Sequence, residues 1–166
     1  MNRNREIFRA INGYDNYEIS NHGRVRNVNN GKFLKASNNK GYKLVSLSMN
    51  GKQKTYRVHR LVAQEFLDNP DDKEYVDHID GDPTNNHVDN LRYATPSQNC
   101  MNQKRRCNNT TGFKGVTFDK SLGNYQAQIQ IGGRRRTLGH FATAELAYEA
   151  YKKKATEVYG EFARFK

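Results

Sequence analysis

Tyr75-Val76-Asp77-His78-Ile79-Asp80-Gly81-Asp82, returning after a polar loop as Leu91-Arg92-Tyr93-Ala94-Thr95-Pro96-Ser97-Gln98-Asn99, is the stretch that decides how this chain folds. Tyr75 to Ile79 has the composition of a strand, Asp80 to Asn90 that of a polar loop, and Leu91 to Ala94 that of a returning strand. A helix is predicted to follow, with Thr95 at the N-cap, Pro96 at the first helical position and Gln98 completing a capping-box spacing. Strand, loop, strand and helix can bring Asn99 back to Asp77, 22 residues earlier. Neighbouring strand residues point to opposite faces, so a site using both Asp77 and His78 must sit at the strand's end. Asp77 and Asn99 could there supply two oxygen ligands to a hard cation, leaving other positions to water and phosphate oxygens, with His78 as general base on water.

Upstream, the chain reads as short strands broken by Asn and Gly: Tyr17 to Ser20, Arg24 to Asn27, Tyr42 to Ser48 and Lys54 to Val58, with Asn50-Gly51 as a hairpin signal. Leu61, Val62 and Phe66 predict one short helix ending before Asn69-Pro70. Downstream, residues 103 to 111 are polar and basic without an apolar period and read as a linker. Gly115 to Phe118, Tyr125 to Ile131 and Arg134 to Leu138 then read as three strands, the last two joined by Gly132-Gly133. Gly139-His140-Phe141 leads toward a helix capped by Thr143 and stopped at Gly160, its apolar stripe running through Ala144, Ala147, Tyr148, Tyr151, Ala155 and Val158. Tyr148 and Tyr151 read as core on that stripe. The fold class is α+β, in four segments: a β-rich module (1–53), the strand-loop-strand-helix region (54–103), a linker (104–111), and a three-stranded antiparallel sheet packed on one helix (112–166).

The 166 residues are too few for a large enzyme barrel, and 28 Lys and Arg against 17 Asp and Glu give a net charge of +11, which points to a polyanionic partner. The charge is not uniform. Residues 1–54 carry 11 basic and 3 acidic groups (net +8), 55–103 carry 4 and 9 (net −5), and 104–166 carry 13 and 5 (net +8). Carboxylates between two basic flanks suit an enzyme holding a divalent cation against a phosphate better than they suit a plain polyanion binder. No run of 18 apolar residues and no signal-type N-terminus exist, so a cytoplasmic protein without membrane contact is expected. Cys100 and Cys107 alone cannot furnish a structural zinc site and read as reduced thiols.

The run Val76 to Asp82, then Asn85-Asn86-His87-Val88-Asp89-Asn90-Leu91, then Thr95 to Asn99, resembles the HNH nucleases of phage and intron-encoded homing endonucleases, and Arg57-Val58-His59-Arg60-Leu61-Val62-Ala63 resembles the entry to that domain. The resemblance implies a ββα-metal fold at 54–103 with Asp77 as metal ligand, His78 as general base and Asn90 as a loop brace. Where many members carry His as the last ligand, this chain carries Asn99. It implies one divalent cation, Mg²⁺ first and Mn²⁺ second, and double-stranded DNA as substrate for a monomer. Tyr17 to Asn27, including Arg24 and Arg26, resembles the nuclease-associated module found upstream of such domains. Gly115-Val116, Tyr125-Gln126-Ala127, Leu138 to Phe141 and Thr143 to Ala147 are similar to the plant ethylene-response-type domain, which lays its sheet in a DNA groove, with Tyr125 here where Trp is usual.

Arg134 and Arg136 share one strand face and, beside Gln126, Gln128 and Gln130, read as DNA contacts. Lys104, Arg105 and Arg106 either track phosphate or solvate the linker. His59 and His87 read as hydrogen-bonded structural histidines, His87 within the site. The competing function is a non-catalytic DNA-binding regulator, against which the joint presence of Asp77, His78 and Asn99 argues; high charge alone also permits RNA binding.

Overall fold

Asn50 and Gly51 both take positive φ, 51° and 75°, the backbone that a two-residue hairpin turn requires, and they join strand β5 (Tyr42–Met49) to β6 (Lys52–Arg57). The computed structural model describes residues 5–103, 105 and 108–165. The chain divides into two compact units, residues 1–95 and 96–166.

In the first unit β1 (Phe8–Ile11), β2 (Tyr14–Ser20) and β3 (Val25–Asn27) form one antiparallel sheet, and β4 (Ser37–Asn39) joins β5 and β6 in a second. Helix α1 spans Val58–Phe66. It begins where the sequence expects a strand to end, because Val58, Leu61 and Val62 stand at i, i+3 and i+4 and bury one stripe. A two-stranded ribbon, β7 (Tyr75–His78) against β8 (Leu91–Ala94), completes the unit, with one 3₁₀ turn at Val88–Asn90. Ile11, Ile19, Val25, Val45, Leu47, Val58, Leu61, Val62 and Leu91 form a single core. The β-rich module and residues 54–95 therefore share one interior.

The second unit opens with α2 (Pro96–Met101). The Lys114 ammonium donates to the carbonyls of Met101 (2.7 Å) and Gln103 (2.8 Å) and so ties the end of this helix to the segment before β9. Burial, then the charge of Arg164, pushes that ammonium down to about 8. Strands β9 (Val116–Asp119), β10 (Asn124–Ile131) and β11 (Arg134–Phe141) form a sheet in the order β11-β10-β9. Gly139, His140 and Phe141, expected to lead into a helix, extend β11 because a bulge opposite Ala127 and Gln128 lets the strand continue. Helix α3 (Ala144–Tyr159) starts at Thr143, whose hydroxyl accepts from the Leu146 N–H, and buries Ala144, Ala147, Tyr151, Ala155 and Tyr159. The expected linker is partly built: the Thr111 hydroxyl donates to the Val116 carbonyl and the Asn109 amide to the Phe113 carbonyl. Lys104, Arg106 and Cys107 lie outside the described residues.

Candidate active site

Asp77 and His78 end β7, and strand alternation sends their side chains to different partners. Asp77, 5% exposed, stands opposite Arg92 of β8, whose Nε and Nη2 both reach its Oδ2, at 3.0 and 2.9 Å. The guanidinium compensates the buried carboxylate and fixes its plane. His78, 6% exposed, puts Nε2 2.9 Å from the Oδ1 of Asn86. Amide oxygens only accept, so Nε2 carries the proton and the basic lone pair of the neutral ring is on Nδ1. Asn86 is itself buried, and its Nδ2 donates to the Thr84 carbonyl at 3.4 Å, which sets the sense of the amide.

Aromatic groups pack around His78. The His59 ring meets that of His78 edge-on, with centroids 4.9 Å apart at 70°, and Tyr42 lies 5.2 Å from His59 and 6.2 Å from His78. The Arg57 guanidinium sits 4.9 Å over Tyr42 with no carboxylate partner among the described residues. His59, expected to be hydrogen-bonded, is buried with its Nδ1 unpartnered. Burial, then the charges of His78, Arg57 and Arg60, lowers its pKa to about 3 and keeps the ring neutral.

The loop between the strands is closed by its own amides. Asn90 donates from Nδ2 to Asp80 Oδ1 (2.9 Å) and to the Asn85 carbonyl (2.8 Å), while its Oδ1 accepts from the Asp80 N–H (3.0 Å). Burial raises the Asp80 pKa, but the Asp82 N–H and the Asn85 and Asn90 amides outweigh it and hold the carboxyl below its ordinary value. The N–H of Asp89 donates to His87 Nδ1 at 3.2 Å, and the His87 ring lies 4.6 Å from that of His22.

Asn99 is on α2, in the second unit. The donor chemistry of the ribbon end fits a hard cation: Asp77 is a buried carboxylate, the oxygen donor such a cation takes, and among the described residues no cluster of three or more His, Cys, Asp or Glu could hold a metal ion by itself. Arg24 and Arg26 are each engaged in the first unit. Arg24 pairs with Glu6 and lies over Phe33, and Arg26 pairs with Glu18 at 2.7 Å and lies over Phe8. Arg105 donates to the Asn109 carbonyl at 3.4 Å. In the second unit's sheet, Gln130 pairs with Arg135, Ile131 with Arg134 and Ile129 with Arg136. Paired residues share a face, so the row Gln126, Gln128 and Gln130 has Arg135 beside it, while Arg134 and Arg136 lie on the face of Ile131 and Ile129. The sequence places Arg134 and Arg136 correctly on one face; the two-residue Gly132-Gly133 turn makes that the other face from the glutamines. Gln126 Nε2 lies 3.3 Å from both Thr137 Oγ1 and His140 Nε2, so the polar face is laced together.

The sequence reading missed Asn86, Arg92, Tyr42 and Arg57. Arg92 was recoverable, since pairing the two predicted strands across the loop sets it opposite Asp77. Asn86, one polar residue in a polar loop, carried no signal.

A buried histidine hydrogen-bonded to a buried asparagine, beside an arginine-braced carboxylate on a ribbon closed by an asparagine-tied loop, places a candidate base next to a candidate oxygen ligand. Residues 56–101 match the HNH endonuclease family and residues 6–48 match the NUMOD4 motif. The chain therefore carries an HNH endonuclease domain. It is 44% identical over 114 residues to the uncharacterized HNH endonuclease L245 of Acanthamoeba polyphaga mimivirus, over 68% of this chain and 32% of that protein. It is 42% identical over 101 residues to the DNA endonuclease I-HmuI of Bacillus phage SP01, over 60% of this chain and 58% of that protein. The chain thus spans between about a third and three-fifths of the length of these relatives. A solved structure described as DNA binding and cleavage by the HNH homing endonuclease I-HmuI aligns with 96% of this chain and 98% of its own, at a TM-score of 0.56 and 29% identity. No helix among the described residues is long and apolar enough to cross a membrane.

Proposed function

We propose that the chain is a metal-dependent, site-recognising DNA endonuclease of the homing type, acting as a monomer on double-stranded DNA. The observation that carries the reading is the His78–Asn86 hydrogen bond at 2.9 Å, which leaves the ring's basic nitrogen at Nδ1. In the proposed reaction His78 Nδ1 takes a proton from the attacking water, the new bond forms between that oxygen and phosphorus, the bond to the 3′-oxygen breaks, and the departing 3′-oxygen takes a proton from solvent water. The products are a 5′-phosphate and a 3′-hydroxyl. Asp77 would hold a divalent cation, Mg²⁺ or Mn²⁺, which when bound would supply Lewis-acid stabilisation of charge on the phosphate. Asn99 is the second oxygen donor on the strength of the sequence pattern. Arg92 holds the Asp77 carboxylate, Asn90 holds the loop, and Arg57, stacked on Tyr42, offers its guanidinium to the phosphate.

Recognition is assigned to the basic flanks, with the ethylene-response-type sheet of the second unit as the main reader through Gln126, Gln128, Gln130 and Arg135. This follows the sequence resemblance and the I-HmuI structure's description as a DNA-binding and cleaving enzyme. The deciding experiment incubates supercoiled plasmid and phage genomic DNA with the protein in Mg²⁺ or EDTA, beside His78→Ala. Nicking in Mg²⁺ alone is expected, with His78→Ala slower by about a hundredfold or more and its DNA affinity kept, because a general base acts in the chemical step. DNA binding without nicking in any metal would leave the non-catalytic regulator as the function.

A further inference from the structure

Three consecutive residues of the turn between β2 and β3 lie alongside three consecutive residues of the loop that precedes β8. The Val88 N–H donates to the Asn21 carbonyl at 2.8 Å, the His22 ring lies 4.6 Å from that of His87, and Gly23 abuts Asn86. The last contact is the tightest. Gly23 has φ +77°, and a Cβ placed on it would stand 2.9 Å from Asn86 Cβ, 3.2 Å from Val58 Cγ1 and 3.3 Å from the Asn86 carbonyl. No side chain fits between this turn and the loop.

The turn is rigid in its own right. Ser20, fully buried, accepts at Oγ from the N–H groups of Arg24 (3.0 Å) and His22 (3.3 Å), and the Gly23 N–H donates to the Ser20 carbonyl. Asn21 ties it to the preceding segment: its Oδ1 accepts from the Ile7 N–H at 2.8 Å and its Nδ2 donates to the Arg5 carbonyl at 3.2 Å. Asn86, pressed by this wall, is the residue whose Oδ1 receives the Nε2–H of His78.

We propose that the turn Asn21-His22-Gly23 of the NUMOD4-matching segment is a positioning element of the catalytic centre: it fixes Asn86, and through Asn86 the tautomer and ring orientation of His78. The segment then serves catalysis directly, besides any part it has in holding DNA. The base role of His78 rests on the function proposed above, whereas the effect on its tautomer does not. Loss of the Asn86 acceptor removes the bond that favours the Nε2–H form and this ring orientation, and misplacing a base by about an ångström costs on the order of a hundredfold in rate.

The test compares the full-length wild type with Gly23→Ala, His22→Ala, Asn86→Ala and Gly13→Ala. Gly13 has a matching φ of +76° with nothing within 4 Å, so its substitution brings backbone strain without the contact. Imidazole ¹⁵N NMR at pH 8, without DNA or metal, reads the tautomer of His78, and plasmid nicking in Mg²⁺ gives kcat and KM. The Nε2–H form is expected to dominate in the wild type and Gly13→Ala, and to give way to a mixture in Gly23→Ala and Asn86→Ala. Their kcat should fall about ten- to a hundredfold with KM little changed. His22→Ala, which keeps the glycine and loosens only the ring contact, should move both readouts the same way by a smaller amount, and it decides the matter if Gly23→Ala does not fold. Wild-type tautomer in Gly23→Ala and His22→Ala, or an equal effect in Gly13→Ala, overturns the proposal. A wild type that cuts no DNA removes the nuclease reading, and the NMR comparison still decides the positioning claim.

Discussion

The nitrogen of His59 that finds no partner makes this residue a source of pH-dependent stability. Its pKa is lowered from the ordinary 6.5 to about 3, chiefly by burial. Above pH 6.5 the ring is neutral in both states and contributes nothing to the difference. Below it the unfolded chain takes up a proton that the folded chain refuses, so stability is lost progressively from pH 6.5 toward 3, at about 1.4 kcal/mol per pH unit. His59→Leu, close in volume, should flatten that slope between pH 6.5 and 5 in urea titrations; an unchanged slope would assign the acid loss to other groups. A second expectation concerns ligand chemistry. Asp77→Ala should abolish cleavage more completely than Asn99→Ala, because a carboxylate offers a hard cation a full charge and an amide only a dipole. A metal titration of both variants checks it: rising Mg²⁺ should restore the Asn99 variant further, and a deader Asn99→Ala at saturating metal reverses the ordering. At this scale the sequence disclosed the residues with strong chemical character, Asp77, His78 and Asn90, and hid those defined by contact. Tyr42 and His59 are 17 residues apart and meet at His78 only because β5, α1 and β7 share one core.

Among the elements, the sheet of the second unit shows what pairing adds to periodicity. Alternation alone separates Gln126, Gln128 and Gln130 from Tyr125, Ala127, Ile129 and Ile131, and the buried Ala127 and Ile129 agree. Which face the arginines join depends on the number of residues in the turn, since one residue more or fewer exchanges the faces. With Gly132-Gly133 as the whole turn, Arg135 stands beside Gln130. If the polar face reads DNA, Arg135→Ala should cost about 1–3 kcal/mol on target DNA and less on scrambled DNA. Arg134→Ala with Arg136→Ala should instead weaken both alike and reduce the salt slope. Gel shifts on both DNAs across a salt series separate the two patterns, and equal losses for Arg135→Ala on target and scrambled DNA would remove it from base reading. The ends of elements were the least legible. Val58 has strand character in sequence yet opens α1, because its spacing to Leu61 and Val62 fits a helical stripe, and β11 runs on to Phe141 through a bulge that no composition signal marks. The helix at Thr143 was legible because a cap and a long apolar stripe coincide.

Over the whole molecule the two units differ in charge, because the first averages its basic module against the acidic ribbon region and the second has no such offset. Residues 96–166 carry 13 basic and 5 acidic groups, net +8, while residues 1–95 carry 15 and 12, net +3. The contacts described above around His78 and Asp77 lie within residues 1–95: Asn86, His59 and Tyr42 at His78, Arg92 on Asp77, and Asn90 across the loop. The shared core of that unit also draws on both the β-rich module and α1, so the module is no detachable bead. Helix α2, which carries Asn99, instead takes its anchors from the second unit, through Lys114 on the Met101 and Gln103 carbonyls and through Met101 packed against the cluster of Ile129, Tyr151 and Tyr159. Chemistry and charge are therefore divided unequally. A fragment of residues 1–95 should fold cooperatively and keep the His78 tautomer of the full chain, but lose Asn99 and most of the positive charge. Its DNA affinity should be lower and less dependent on salt than that of the full chain, because each phosphate contact removed takes about 0.9 from the slope of log K against log salt on duplex DNA. Its cleavage should be lost at low Mg²⁺. Thermal melts, ¹⁵N spectra of the imidazoles and a salt series of gel shifts check these expectations together. A salt slope equal to that of the full chain would place the phosphate contacts in the first unit, among Lys43, Lys52, Lys54 and Arg57, and would make the basic second unit an accessory to binding.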